Sequence, residues 1–198
     1  MSPWFYLLAL IELPVFLWLV YLGSWPLYLM VATIALMGMS ELYSALIVKR
    51  AGSRMRPNVG VGCICALLVL ATTFGSEDTW PELMIAALFL TVVASFAAQF
   101  SRTGQPGTIR DAAVTILGVL YLAVPLSFMV ALRNMDLALL TTGESAGPVK
   151  AQLGAVLMVT AAVWVADTAA WGIGHLIGKT KMAPRLSPNK TVEGALAG

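Results

Sequence analysis

The sequence predicts an all-α, polytopic integral membrane protein, because of its composition, its spread of hydropathy and the placement of its few basic residues. Of 198 residues, 59% are hydrophobic and 11% are charged, whereas soluble domains carry about 25% charged residues. The mean hydropathy of +0.85 extends over the whole length. A net charge of +2 gives no reason to expect a polyanionic partner. A soluble globular domain, a disordered tail and a nucleic-acid-binding module are therefore excluded.

Six apolar stretches are long enough to cross a bilayer as helices. They lie near residues 4–22, 27–48, 59–75, 83–100, 112–132 and 151–177. The breaks between several of them carry Gly, Pro, Ser or Asn, which commonly end helices. No internal repeat is evident, and no stretch between the spans is long enough for a soluble domain. Residues 1–198 are therefore predicted to form a single transmembrane helical domain.

The basic residues predict the orientation of these spans. Ten of the 12 Lys and Arg residues fall in segments that share one side of the membrane when there are six spans. These ten are Lys49, Arg50, Arg54, Arg56, Arg102, Arg110, Lys179, Lys181, Arg185 and Lys190. The other side has Arg133 and Lys150. The positive-inside rule then places both termini in the cytoplasm, in a multi-pass protein of the cell's inner (cytoplasmic) membrane.

Three carboxylates fall inside predicted spans, where an ionised Asp costs roughly 2.5–3.5 kcal/mol at the bilayer centre. Glu12 lies close to Pro14, so a polar contact at a helix kink and a functional role are equally good interpretations. Glu41 lies near the cytoplasmic end of its span, and a snorkelling or ion-paired side chain is the simpler interpretation there. Asp167 has neither explanation and is the main candidate for function.

On a helix, Asp167 shares one face with four residues, three of them small. They are Ala170, Trp171, Gly174 and Gly178. Another helix or a ligand can therefore approach the carboxylate closely. Ordinary helix packing through the Gly-x-x-x-Gly spacing explains the same face equally well.

The other residues that often ligate metals form no ligand pattern. Cys63 and Cys65 are two apart in an apolar stretch, so they point to different sides of a helix and are interpreted as small apolar residues. His175 is the sole histidine and has no second His or Cys at ligand spacing. We interpret it as a hydrogen-bonded residue at the membrane boundary.

The segment after the sixth span, residues 178–198, is predicted to be a cytoplasmic phosphate-handling segment. Its first 17 residues carry four cations, three hydroxyls and two prolines in a chain with few other charges. The prolines stiffen the backbone, and lysines and hydroxyls can converge on phosphate oxygens. Ser187 or Thr191 is a candidate cap for a following helix. A basic cluster that anchors to anionic lipid is the alternative.

Residues 167–194 read DTAAWGIGHLIGKTKMAPRLSPNKTVEG. This pattern resembles the first conserved block of the phosphatidate cytidylyltransferases, also called CDP-diacylglycerol synthases. Three positions depart from it. His175 stands where a basic residue is common, Asn189 where lysine is common, and Val192 where tryptophan is common. These departures affect secondary phosphate contacts more than the motif itself.

The resemblance implies a nucleotidyltransferase of phospholipid biosynthesis, which converts CTP and phosphatidate to CDP-diacylglycerol and pyrophosphate with Mg²⁺. The implied catalytic residues are Asp167, Lys190 and Ser187, with Asp167 also as a metal ligand. The implied substrate-binding residues are Lys179, Lys181, Arg185, Pro188, Thr191 and Glu193. The expected partners are CTP, phosphatidate and the lipid bilayer, without nucleic acid. The oligomeric state stays open, with a homodimer as one option.

The family also has a second block, which contains most of its metal-binding aspartates, and this chain reaches Gly198 without it. A truncated chain, inactive by itself, is therefore expected. A CTP-dependent polyprenol kinase is the alternative enzyme, although Ser187-Pro188 and Ala183-Pro184 favour the cytidylyltransferase. A third interpretation is a transporter or lipid-binding module with Asp167 as an ion site, which the lack of an inverted repeat disfavours.

Overall fold

The computed structural model describes residues 3–47, 56–101, 109–135, 148–184 and 187–198. Its helices and strands follow in chain order. They are α1 (Pro3–Leu22), α2 (Ser24–Ile47), α3 (Val59–Ala71), α4 (Trp80–Phe100), α5 (Ile109–Gly118), α6 (Val124–Asn134), α7 (Pro148–Leu176), β1 (Lys181–Ala183), β2 (Ser187–Thr191) and α8 (Val192–Ala197). A 3₁₀ turn at Thr72–Phe74 extends α3, and a π-helical turn at Val119–Ala123 joins α5 to α6.

Four helical segments in the described residues are long and apolar enough to cross a membrane. They are Trp25–Leu46, Trp80–Phe100, Ile109–Asn134 and Ala151–Leu176. Two further apolar helices, Leu13–Leu22 and Val59–Phe74, are shorter. Each of the six predicted stretches overlaps one of these segments. The prediction of an all-α, multi-pass membrane protein is confirmed, and the short hairpin of β1 and β2 is an unpredicted addition.

Local chemistry explains several helix ends. Gly23 separates α1 from α2 with φ at +64°, a conformation that glycine adopts without strain. Asn58 caps α3, because its side chain accepts a hydrogen bond from the Val61 N–H. Proline in the first turn of α4 suits a position where a backbone N–H has no partner within the helix.

The chain divides into two compact units, Met1–Gln152 and Leu153–Gly198. The core of the first unit gathers side chains from α2 to α5 and the π-helical turn. It contains Met39, Tyr43, Cys65, Ala66, Val69, Met84, Ala87, Val114, Val119 and Ala123. Cys65 is buried and reduced, and Cys63 is half-buried and reduced. Both cysteines therefore act as small apolar residues, as the sequence predicts.

A polar network ties the start of α3 to α5 within the first unit. The Tyr43 hydroxyl donates to the Thr115 carbonyl at 2.8 Å, and the Asn58 N–H donates to the Thr115 hydroxyl at 2.9 Å. The Arg56 N–H donates to a carboxylate oxygen of buried Asp111 at 2.7 Å. These side chains satisfy backbone groups, so the network has a structural role.

Arg133 is only 7% exposed and binds the last turn of α1. Its Nε donates to the Val20 carbonyl at 3.1 Å and its Nη2 to the Tyr21 carbonyl at 3.2 Å, while Nη1 donates to Gln152 Oε1 at 2.9 Å. A cation is favourable at a helix C-terminus, where free carbonyls concentrate negative charge. A Cβ at Gly23 would lie 2.8 Å from the Arg133 guanidinium, so the glycine also makes room for it.

The described residues include five of the ten cations that predict the orientation. Lys49, Arg50, Arg54, Arg102 and Arg185 lie outside the described residues. Arg56 and Arg110 are exposed at the starts of α3 and α5. The predicted orientation and the span count therefore remain predictions.

Candidate functional site

A cavity of about 1000 Å³ lies within the second unit. Its lining comes from the C-terminal part of α7, from both strands of the hairpin and from α8. Asp167 on α7 lines it, together with Lys181 on β1 and Ser187 and Lys190 on β2. The structure therefore brings together side chains up to 23 positions apart in the chain, which the sequence predicts to act jointly.

Small residues on α7 allow α8 to pack against it. A Cβ at Gly174 would lie 3.0 Å from the Thr191 hydroxyl, and a Cβ at Gly194 would lie 2.6 Å from the Ala170 carbonyl. A Cβ at Gly198 would in turn lie 2.6 Å from the Ala166 carbonyl. Later residues of the α8 segment contact earlier residues of α7, since Gly194 meets Ala170 and Gly198 meets Ala166. The two helices are therefore antiparallel. The small residues Gly174, Ala170 and Ala166 of α7 thus serve helix packing, while Asp167 lines the cavity.

The hairpin is irregular at the cavity. Lys181 pairs with Thr191 and Ala183 pairs with Ser187, so one residue of β1 faces three residues of β2. Such a bulge bends a strand and redirects its side chains, and bulges are common beside active sites. Pro188 begins the bulged stretch, where it has no N–H to contribute to the strand pairing. Within this stretch, Asn189 and Lys190 are exposed and line the cavity.

Thr191 ends the hairpin and begins α8. It is 5% exposed, and its hydroxyl accepts a hydrogen bond from the Gly194 N–H at 3.2 Å. Of the two predicted candidate caps, Ser187 and Thr191, Thr191 is therefore the one that caps α8. Thr191 also lines the cavity, so one residue fixes both the helix start and part of the wall.

Glu193 closes the turn between α7 and β1. Its carboxylate oxygens accept the Thr180 N–H at 3.1 Å and 3.2 Å. Hydrogen bonds from its own backbone and from Thr180 hold the pKa of the Glu193 carboxyl below its usual value. Glu193 is not part of the cavity lining, so its visible role is to hold the turn.

The other seven predicted site residues fall into three groups. Asp167, Lys181 and Lys190 are exposed at the cavity, and Ser187 is half-buried there. Lys179 is exposed but is not among the lining residues. Arg185 lies outside the described residues, and Pro188 is described only as part of β2.

The sequence did not predict an aromatic pair on the cavity wall. The rings of Trp171 and His175 stack, with centroids 5.5 Å apart and planes at 14°. Both residues line the cavity. Their i, i+4 spacing on α7 is a sequence signal that places them on one face. His175 was predicted to be a hydrogen-bonded boundary residue, and its described contact is instead this ring stack.

The described lining of the cavity offers a magnesium ion one carboxylate, that of Asp167. Within the described residues, no three His, Cys, Asp or Glu side chains come close enough to form a metal site. Asp167 is the single carboxylate among the described lining residues. Mg²⁺ is commonly held by one or two carboxylates, several waters and the phosphates of a substrate. Asp167 fits that mode, and the described residues do not form a cage made of protein alone.

The balance of charge in the cavity suits an anion. Lys181 and Lys190 face the cavity together with one carboxylate, that of Asp167. Neither lysine forms an ion pair with any described residue, so both ammonium groups can bind a ligand. An anionic ligand with several oxygens, such as a phosphate chain, can accept hydrogen bonds from both lysines and from Ser187.

The comparisons place the chain among known proteins. Residues 6–198 match the cytidylyltransferase family, so the chain belongs to this family. It is 25% identical over 194 residues to a phosphatidate cytidylyltransferase of Staphylococcus haemolyticus, covering 97% of this chain and 65% of the relative. It is 24% identical over 187 residues to the phosphatidate cytidylyltransferase of Bacillus subtilis, covering 93% of this chain and 62% of the relative.

A third relative shows a shorter and closer match. The chain is 49% identical over 43 residues to a phosphatidate cytidylyltransferase of Staphylococcus saprophyticus, covering 22% of this chain and 16% of the relative. No solved structure matches the chain significantly. The chain spans slightly less than two thirds of the length of the first two relatives.

Proposed function

We propose that the protein is a phosphatidate cytidylyltransferase, which converts CTP and phosphatidate to CDP-diacylglycerol and pyrophosphate. The observation that carries this proposal is the cavity that Asp167 from α7 lines together with Lys181, Ser187 and Lys190 from the hairpin. Membership of the cytidylyltransferase family and the names of the relatives support the same reaction.

The position of the cavity suits one lipid substrate and one water-soluble substrate. The apolar segment of α7 ends at Leu176, so Asp167 lies inside it while Lys181 and Lys190 lie beyond it. A phosphatidate headgroup lies at the membrane interface, with its acyl chains in the hydrocarbon. CTP arrives from water. A cavity that begins within an apolar helix and ends at a polar hairpin is accessible to both.

The reaction brings two anions together. A phosphate oxygen of phosphatidate bonds to the α-phosphorus of CTP. The bond from that phosphorus to the oxygen bridging to the β-phosphorus breaks, and pyrophosphate leaves with the electron pair. Fixed cations and hydrogen-bond donors lower the barrier to such transfers by stabilising the charge that develops. Lys181 and Lys190 are assigned to phosphate oxygens, and Ser187 donates to one of them.

Asp167 needs a different role, because a carboxylate repels phosphate. We assign it to magnesium, which Asp167 would hold beside the phosphates of CTP. When bound, magnesium supplies charge neutralisation at the phosphate chain. Asp167 then orients the substrate, while the lysines of the hairpin hold the leaving pyrophosphate.

We also propose that the protein lies in the cytoplasmic membrane with the cavity on its cytoplasmic side. The partition of ten against two basic residues supports this orientation. CTP is a cytoplasmic metabolite, so the same orientation gives the cavity access to its substrate. A reporter that is active only outside the cytoplasm, fused after Gly198, should be inactive.

The test uses the protein as its gene encodes it, in detergent micelles with phosphatidate, Mg²⁺ and labelled CTP. Label on the α-phosphorus should enter the lipid extract, with an equal amount of pyrophosphate released. Label on the γ-phosphorus should stay in the aqueous phase. Transfer of γ-label to a polyprenol or other lipid would identify a kinase instead. Absence of transfer from either position would favour a transporter or lipid-binding module.

The reaction is proposed for the whole protein, and residues 1–198 expressed alone are expected to be inactive. The described part of this chain brings one carboxylate, Asp167, to the cavity. Displacements at phosphorus that depend on metal commonly use several carboxylates around one or two cations. A 198-residue product, verified by mass, should release no pyrophosphate above background.

A further inference from the structure

The stacked pair of Trp171 and His175 has no part in the chemistry assigned so far. The two rings are nearly parallel, at 14°, with centroids 5.5 Å apart. Trp171 is 72% exposed, so one face of the indole and much of its edge are free. An exposed tryptophan near the end of a membrane helix is often an interfacial anchor. That role does not require the residue to line a cavity, which both rings do.

The cavity has two walls of different chemistry. The aromatic wall comes from Trp171 and His175 on α7, and the cationic wall comes from Lys181 and Lys190 on the hairpin. A nucleoside triphosphate has the same division, with a flat aromatic base at one end and a phosphate chain at the other. The cavity, at about 1000 Å³, is at the upper end of the range of small-molecule sites.

We infer that the Trp171–His175 pair is the platform on which the base of the nucleotide stacks. This inference deepens the proposed function and rests on it. Bases stack on aromatic side chains in many nucleic-acid sites, and loss of one such stack commonly weakens binding by about tenfold or more. His175 packs on the indole and thereby holds the ring in place, so that the stacking surface is fixed before the nucleotide binds.

Substitutions at the aromatic platform and at the lysines should weaken the binding of different ligands. The Trp171→Leu substitution removes the stacking surface and leaves the lysines, so it should weaken binding of CTP and spare inorganic tripolyphosphate, which has no base. The Lys190→Ala substitution removes a phosphate contact and should weaken binding of both. The pair of ligands therefore separates the role of the base platform from the role of the phosphate site.

The experiment is calorimetric titration of the whole protein in lipid nanodiscs, with CTP or tripolyphosphate in the presence of Mg²⁺. Trp171→Leu should raise the Kd for CTP about tenfold, which equals 1.4 kcal/mol, and change the Kd for tripolyphosphate less than twofold. Trp171→Phe, which keeps an aromatic face, should restore most of the CTP affinity. The matched control is Trp164→Leu, at a tryptophan of α7 that is 45% exposed and outside the cavity lining. Its Kd values should equal those of the unmodified protein.

Three outcomes would overturn the inference. They are an unchanged CTP affinity in Trp171→Leu, an equal loss for both ligands in that variant, or no recovery in Trp171→Phe. The failure of the proposed function gives a different pattern. In that case the unmodified protein binds neither ligand, or Lys190→Ala binds both as well as the unmodified protein does, and the inference falls with it.

Discussion

Two sets of polar side chains, one in each unit of the chain, have opposite roles. In the first unit, Arg133 and Asp111 are buried and bind backbone groups of neighbouring segments. In the second unit, Asp167 and Lys190 are exposed at a cavity and form no hydrogen bond or ion pair with any described residue. A polar side chain in an apolar environment needs a partner. Arg133 and Asp111 have such partners and therefore stabilise the fold, whereas the exposed Asp167 and Lys190 are available to a ligand.

The largest effect is expected at Asp167. Asp167→Asn removes the proposed metal ligand and should lower turnover at least about 100-fold, since loss of one transition-state electrostatic contact commonly costs roughly 2.7–4 kcal/mol. The melting temperature should hardly change, because the side chain is exposed. Steady-state kinetics and thermal melting measure the two quantities. Glu82→Gln, at an exposed carboxylate in the first turn of α4, is the control and should change neither. Near-normal turnover of Asp167→Asn would contradict the proposed metal ligand. Helix packing would then be the better explanation of the small residues on the face of α7 that carries Asp167.

The opposite pattern is expected at Arg133. Arg133→Ala leaves the carbonyls of Val20 and Tyr21 without these donors, and should lower the free energy of unfolding by about 1–3 kcal/mol. The CTP affinity of the folded fraction should stay the same. Denaturant unfolding in micelles and calorimetric titration test the two parts. Arg110→Ala, at an exposed residue of α5, should leave stability within about 0.5 kcal/mol. Unchanged stability of Arg133→Ala would contradict the assigned structural role.

A smaller effect distinguishes two lysines of the same segment. Lys190→Ala should raise the KM for CTP and lower kcat, with kcat/KM reduced about tenfold, because it removes a charged hydrogen bond to phosphate. Lys179→Ala should change kcat/KM less than twofold, since Lys179 is outside the cavity lining. An equal or larger loss from Lys179→Ala would reverse this assignment.

The smallest effect is expected at Glu193, whose carboxylate holds the turn between α7 and β1. Because the pKa of Glu193 is lowered in the folded state, its stabilising contribution is present above the pKa of the unfolded chain. It is lost as pH falls through the lower folded pKa. Glu193→Gln should therefore melt at a slightly lower temperature than the unmodified protein near neutral pH, and the two should converge in acid. A difference in melting temperature between the two proteins that grows in acid would contradict this role of Glu193.

The sequence predicted the features that depend on local pattern. Apolar length predicted the helical segments, and the resemblance to the cytidylyltransferase block identified Asp167, Ser187 and Lys190, which line one cavity. Hydroxyl chemistry identified Thr191 as a candidate cap. The hairpin was missed because strands of three and five residues carry little periodic signal and depend on the return of α8 to α7.

Long-range contacts explain the other omissions. Arg133 was counted only as a basic residue outside the spans, since its burial depends on the end of α1, which lies more than 100 residues earlier. Glu193 was grouped with substrate-binding residues, and its bond to the Thr180 N–H depends on the fold of the turn. The orientation of the Trp171 ring is likewise set by packing, which the i, i+4 spacing with His175 permits without specifying.

Lysine footprinting tests the central claim, that the polar residues of the second unit form a nucleotide site. The whole protein in nanodiscs is acetylated for short times with or without CTP and Mg²⁺, and mass spectrometry measures the rate at each lysine. CTP should slow acetylation of Lys181 and Lys190, which line the cavity, and leave Lys179 unchanged. Tripolyphosphate should protect the same two lysines. Equal protection of all three lysines, or protection of Lys179 alone, would contradict the account.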